Sequence, residues 1–117
     1  MIDYDSRLVT ALKKVLPTYH ELVLHRGIKT PCISYQERNN ADDLTGDTVG
    51  YSRISYTIKV WSTDIAEIKK YAQEIDLVLR PCGFRRISVN ELADPNSTMI
   101  QKILTYEALA LEQYKEI

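Results

Sequence analysis

The sequence predicts an α+β domain, a largely antiparallel sheet of about five strands with two helices packed on one of its faces. Three observations predict it. Residues alternate strictly from Tyr51 to Trp61, a capped apolar stripe runs from Ile65 to Leu79, and a second stripe runs from Leu8 to Leu16. The 117 residues suffice for one hydrophobic core and not for two, so a single domain over 1–117 is expected, with a mobile loop at about 38–50.

The alternating stretch sets the frame. Ser52, Ile54, Tyr56, Ile58 and Val60 share one parity, and Tyr51, Arg53, Ser55, Thr57, Lys59 and Trp61 the other. That is the pattern of a long strand with one face on a core and one mixed polar face. Asp64, with Glu67 three positions on, resembles a capping box. Ile65, Ile68, Ala72, Ile75 and Leu79 then follow at helical spacing, and Pro81 and Gly83 end the helix ahead of a strand led by Phe84.

Upstream, Asp3, Asp5 and Ser6 can each cap a helix whose stripe is Leu8, Val9, Leu12, Val15 and Leu16, stopped by Pro17. Tyr19–His25 changes period and reads as a short strand. A turn at Gly27, Lys29 and Pro31 then leads to a second strand, Cys32–Glu37, and the two suggest a hairpin. Residues 38–50 are polar and aperiodic, hence the expected loop. Downstream, Ile87, Val89 and Glu91 share one face of a strand, and Ala93–Ser97 forms a turn. Thr98–Leu111 is apolar on both parities. It reads as a long strand needing two coverings, one by the helices and one by another subunit, unless its end from Ala108 turns helical.

Composition excludes several function classes. Fifteen basic against sixteen acidic residues leave no overall positive field to gather nucleic acid. No apolar run approaches the roughly 20 residues of a membrane helix and the first residues lack a signal-peptide pattern, so a cytosolic product is expected. Cys32 and Cys82 have no partner at zinc or redox spacing, and His20 and His25 have no nucleophile or carboxylate placed by spacing. Asp42, Asp43 and Asp47 are hard-cation ligand types without the alternating pattern of a calcium loop, so a solvated or partner-ordered acidic loop is expected. No catalytic residue, metal site or cofactor is therefore assigned. The candidate residues are those of an interface: Tyr51, Arg53, Lys59 and Trp61 on the strand face opposite the core, with Asp42, Asp43 and Asp47 from the acidic stretch. Eight tyrosines against one Trp and one Phe suit such a role, since amphipathic aromatics are enriched where protein surfaces meet.

The segment Pro31-Cys32-Ile33-Ser34-Tyr35, the polar stretch, the Tyr51–Trp61 strand with Tyr56, Ile58, Val60 and Trp61, the following helix, and Gly83-Phe84-Arg85 occur in an order and spacing that cover most of the chain. In that order the chain resembles the tail terminator, or tail completion, proteins of long-tailed bacteriophages. The resemblance implies a small α+β subunit without catalytic residues, assembling as a ring, commonly hexameric. Such a ring caps the finished tail tube and joins it to the head, with DNA passing through its lumen without sequence-specific binding. Its implied partners are copies of itself, the tail tube protein and the head-tail connector protein; its implied locations are the host cytoplasm during assembly and then the virion tail. A neck, or head-tail connector, component would share the ring. A small nucleic-acid-binding module would use Arg53, Lys59, Tyr51 and Trp61 as a basic, aromatic strand face and would show salt-dependent affinity for DNA.

Overall fold

The computed structural model describes residues 4–21, 28–45, 49–93 and 98–113; of these, 39–45, 49–53 and 109–113 are described by backbone position and register. In chain order the elements are α1 (Tyr4–Leu12), β1 (Thr18–His20), β2 (Cys32–Thr45), β3 (Val49–Ser62), α2 (Ile65–Leu79), a 3-10 turn (Arg80–Cys82), β4 (Arg85–Ala93) and β5 (Ile100–Gln113). The strands form one five-stranded sheet in the order β1-β2-β3-β5-β4, antiparallel except for the β1–β2 pair. This is the expected α+β class.

The alternation of β3 decides where the core lies. Tyr56, Ile58 and Val60 are buried together with Ile33 of β2 and with Leu104, Tyr106 and Ala108 of β5, against Leu8 and Leu12 of α1 and Ile68, Ile75 and Leu79 of α2. Each helix is fixed to the sheet by a buried tyrosine: the Tyr56 hydroxyl donates to Asp5 on α1, and the Tyr106 hydroxyl donates to Asp76 on α2 at 2.8 Å. Phe84 fills the seam between them, edge-on to both Tyr4 and Tyr56. β5 resolves the two-parity segment as a strand through Gln113, with Leu104, Tyr106 and Ala108 facing the helices.

The cap of α2 follows its sequence signal with one change. Asp64 Oδ1 accepts from the amides of Ala66 and Glu67, at 2.9 and 3.3 Å. The amide of Asp64 donates to Ser62 Oγ instead of Glu67, because the Glu67 carboxylate is engaged by the hydroxyls of Ser62 and Tyr71. Asp64→Ala is expected to cost about 1 kcal/mol, the usual loss for an N-cap. The check is the urea midpoint, which should fall at constant slope; an unmoved midpoint would mean that Ser62 alone caps the helix. At the other end the stop is as expected, with Gly83 in the left-handed region at φ 92°.

Five expectations are corrected. α1 ends at Leu12 and not at Leu16, because the amides of Lys14 and Val15 bond three residues back and tighten the chain into a turn that tucks Leu16 into the core. Ile65 is 55% exposed and lies off the buried stripe of α2. β1 runs parallel to β2, Thr18 opposite Ile33 and His20 opposite Tyr35, so the two are not a hairpin. The connection over residues 21–31 has the length a parallel pair demands, about a dozen residues, and not that of a tight turn. Ile87, Val89 and Glu91 do not form one continuous face: Ile87 falls in the register shift between Arg86 and Ser88 and has no partner in the ladder, whereas Val89 and Glu91 stand opposite Leu104 and Lys102 on the helix face, and Ile87, Val89 and Leu92 are all exposed because β4 is the outermost strand. Finally, residues 38–45, 49 and 50 are strand and not loop. β2 pairs with β3 through Thr45 opposite Val49, and β3 pairs with β5 through Val49 opposite Gln113, with a register shift in β2 between Glu37 and Asn39. The expected strand over Leu22–His25 and the turn over 94–97 lie outside the described residues.

These pairings make an arm. β3 has 14 residues and spans about 46 Å, whereas the 15 residues of α2 span about 22 Å. The helices therefore lie over one half of the sheet, where the named core residues fall, and β2, β3 and β5 continue past them as a three-stranded extension. The longest dimension of the molecule is 52 Å, against 25 and 21 Å for the other two.

Candidate interaction surface

The sheet face opposite the helices is the surface on which the sequence places its candidates. Cross-strand partners share a face, so Ser34 stands beside Lys59, Gln36 beside Thr57, and Thr57 beside Thr105. Trp61 is half-buried there. Its indole N–H donates to Ser34 Oγ at 2.9 Å, and Ser34 is fully buried. Lys59 Nζ lies 5.9 Å from the centre of the Trp61 ring and 2.9 Å from Glu21 Oε1. The ring thus carries a cation near it that is already neutralised by a carboxylate. Cys32, opposite Trp61 in the ladder, is buried, and burial pushes its thiol pKa up, away from the reactive thiolate.

The structure brings Lys59 and Trp61 together and separates them from the other candidates. Tyr51 lies ten residues along β3 from Trp61, about 34 Å away in an extended strand. In register it stands opposite Asp43, Arg53 stands opposite Ala41, and Asp42 stands opposite Ser52, all within the arm. The seven candidates therefore divide into a pair beneath the helices' half of the sheet and a group on the arm, with Asp47 outside the described residues. Two contacts escaped the sequence reading. Glu21 reaches Lys59 from beyond β1, and Ser34 accepts from Trp61 across the β2–β3 ladder; both depend on strand register, which residue spacing within one segment does not carry.

The chemistry available on this face is that of association. Among the described residues no three His, Cys, Asp or Glu side chains gather as a metal site. His20 packs edge-on against Tyr35, ring centres 5.1 Å apart, on the helix side of the sheet. The charges of the open face are balanced: Lys59 pairs with Glu21, and Arg85 with Glu107 at 2.5 Å across β4 and β5. The hydroxyl oxygen of Thr57 is buried with no hydrogen-bond partner among the described residues. No helix among them is long and apolar enough to cross a membrane.

Neither a family model nor a curated protein matches this sequence. Among solved structures, the chain is similar to a chain of the virion of a native gene transfer agent particle. The TM-score is 0.68 at 13% identity, and the match covers 90% of this chain and 84% of that one. At that identity the likeness shows a shared fold.

Proposed function

We propose that this chain is a structural subunit of a phage-like particle, a ring-forming tail terminator that caps the completed tail tube and joins it to the head. The observation that carries the reading is the shared fold, over nearly the whole length of both chains, with a component of a virion. The order of motifs from Pro31 to Arg85, which resembles that of tail terminators, gives the finer assignment. The architecture suits it. A sheet covered by helices on one face and along half its length leaves an open face and an arm for contacts with neighbouring copies, the tail tube and the connector. The role needs interfaces and no reacting group, and the balanced ion pairs on the open face suit a surface that meets protein more than one that grips phosphate. Assembly would take place in the host cytoplasm, the mature location being the virion tail, with DNA passing through the lumen.

The test is native mass spectrometry over a wide concentration range, with and without isolated tail tubes. Monomer and closed ring, with little between, are expected, the ring favoured by tubes. Binding to an isolated connector but never to tubes would reassign the chain to the neck. Salt-sensitive affinity for DNA without a ring would favour the nucleic-acid module.

Trp61→Ala probes the open face. Loss of a large aromatic anchor at an interface typically costs on the order of 2 kcal/mol of association energy. Weaker assembly with a retained cooperative melt is expected. Complete unfolding would place Trp61 among the residues that hold the monomer together, through its bond to buried Ser34.

A further inference from the structure

We propose that the outward face of α2 on one copy of this chain packs on the helix-side face of the arm on the next copy, so that each arm takes the helix layer it lacks from a neighbour. This rests on the ring reading above and names its contact.

The buried stripe of α2, Ile68, Ala72, Ile75 and Leu79, turns the opposite stripe outward: Ala66, Lys70, Gln73 and Leu77 follow at helical spacing, and all are exposed. The outer face of a surface helix ordinarily carries charge, yet of these residues only Lys70 does, with Lys69 beside it. Leu77 lies at the centre of that face and is 73% exposed, the most of any large apolar side chain among the described residues. Nothing in the fold of one copy accounts for it.

The arm lacks what α2 offers. Tyr56 and Tyr106 are opposed in the ladder and mark the level at which α1 begins and α2 nears its end. Beyond them no described helix lies over the sheet. Parity there is read from β3, whose ladder with β5 has no register shift, so Ser52 and Gly50 continue the helix-side face of Tyr56. Their cross-strand partners share it, which gives one row of Asp42, Ser52 and Ala110 and a next row of Leu44, Gly50 and Glu112. Residues 1–3 reach at most about 11 Å from Tyr4, short of the roughly 20 Å from Tyr56 to Gly50. Glu21, the last residue described after β1, bonds to Lys59 on the other face of the sheet.

The two faces agree in charge and in shape. In those two rows the charged residues are Asp42 and Glu112, both acidic, because Arg53 falls on the other parity. They match Lys70 and Lys69. Gly50 allows the backbone of another element to come close, and with Ser52 and Ala110 beside it the face has room for a protruding Leu77. A two-fold contact between two α2 faces would set lysine against lysine, and one between the helix-side faces of two arms would set acid against acid. The charge pattern thus selects the contact between unlike surfaces. Such a contact repeats head to tail and closes into a ring where the rotation allows.

The test uses full-length chains. Leu77→Cys and Ala110→Cys are made in separate chains, each with Cys82→Ser to remove the half-buried native thiol, then mixed and oxidised with and without isolated tail tubes. A disulfide-linked dimer is expected in the mixture and not with either chain alone. In parallel, Leu77→Asp should weaken self-association by at least about tenfold with an unchanged thermal melt, since the side chain it replaces is exposed in the monomer. Lys70→Glu and Asp42→Lys should each weaken it too, and the two together in one chain should restore it. A thermal melt of each variant separates loss of contact from loss of fold. Self-linking of Leu77→Cys would overturn the proposal in favour of a two-fold contact between α2 faces. Rings that form without cross-linking and ignore Leu77→Asp and the charge reversals would remove this contact while leaving the ring standing. A chain that stays monomeric at every concentration and on tubes would overturn both.

Discussion

Tyr106→Ala is expected to destabilise the fold by about 3–5 kcal/mol, the range for truncating a fully buried aromatic. Two losses combine. The ring lies in the core beside Leu104 and Ala108 of the same strand, and its hydroxyl donates to Asp76, holding α2 onto β5. Tyr106→Phe separates them, since it keeps the ring and removes a hydrogen bond to a charged group, at about 1.5–3 kcal/mol. Asp76 also accepts from Arg80 Nε at 2.5 Å. Burial pushes the Asp76 carboxyl pKa up, but the hydrogen bonds from Arg80 and Tyr106 outweigh burial and hold it below its ordinary value of 3.8. A carboxyl depressed in the folded state contributes stability above its unfolded value, and that contribution is lost as pH falls through the folded value. Chemical melts from pH 7 down to pH 2 should therefore show an acid-side loss that Asp76→Asn reduces. An identical acid limb in wild type and Asp76→Asn would show that the pair carries no linked stability. Burial and the Asp76 carboxylate also raise the Tyr106 hydroxyl pKa well above its ordinary value, so the donor stays protonated throughout this range.

The proximal half of this molecule was legible because its physics is local. Alternation in β3 needs one buried face, and Tyr56, Ile58 and Val60 lie on it. The stripe of α2 and its Asp64 cap are set by helical period and by one side chain reaching amides two and three residues away. The double-parity run from Thr98 is a strand because Leu104, Tyr106 and Ala108 meet the helices while Ile103 and Thr105 lie on the open face. Illegible features depend on what stands next to what. Residues 39–45 carry no alternation, and alternation arises only where one face of a strand is buried and the other wet. Beyond the reach of the helices nothing imposes it, so a paired strand reads as a loop. The exposure of Ile87 and Val89 follows from the outermost place of β4, and the unpaired position of Ile87 from its bulge, neither of which has a local signature. The candidate site suffered likewise: Lys59 and Trp61 were placed together by parity, but their partners Glu21 and Ser34 come from other segments.

Removing the arm is expected to abolish assembly while leaving the fold in place. The cut follows from the register. Asn40 stands opposite Ile54, which packs against the core, and Ile54 stands opposite Ala108, which is buried. Replacing residues 41–53 by Asn-Gly joins two directly opposed positions through a two-residue type I′ turn, and stopping the chain after Ala108 trims β5 to match. Every residue of the described core cluster is retained, together with both tyrosine anchors to the helices. Loss of paired strand beyond the core removes backbone hydrogen bonds at a net cost of about 1 kcal/mol each, but it also removes the ordering of those residues, about 1–2 kcal/mol each. The two nearly cancel, so the melting temperature should move little. Assembly should not survive, because the arm holds the candidate interface residues Tyr51, Arg53, Asp42 and Asp43. Circular dichroism melts and native mass spectrometry on tail tubes read the two outcomes independently. If the shortened chain still forms rings on tubes, the arm is not an assembly element, and the contacts must lie in the helix-covered half, around Trp61. If it fails to melt cooperatively, the arm supports the monomer fold, and its register with β5 is part of the core's stability.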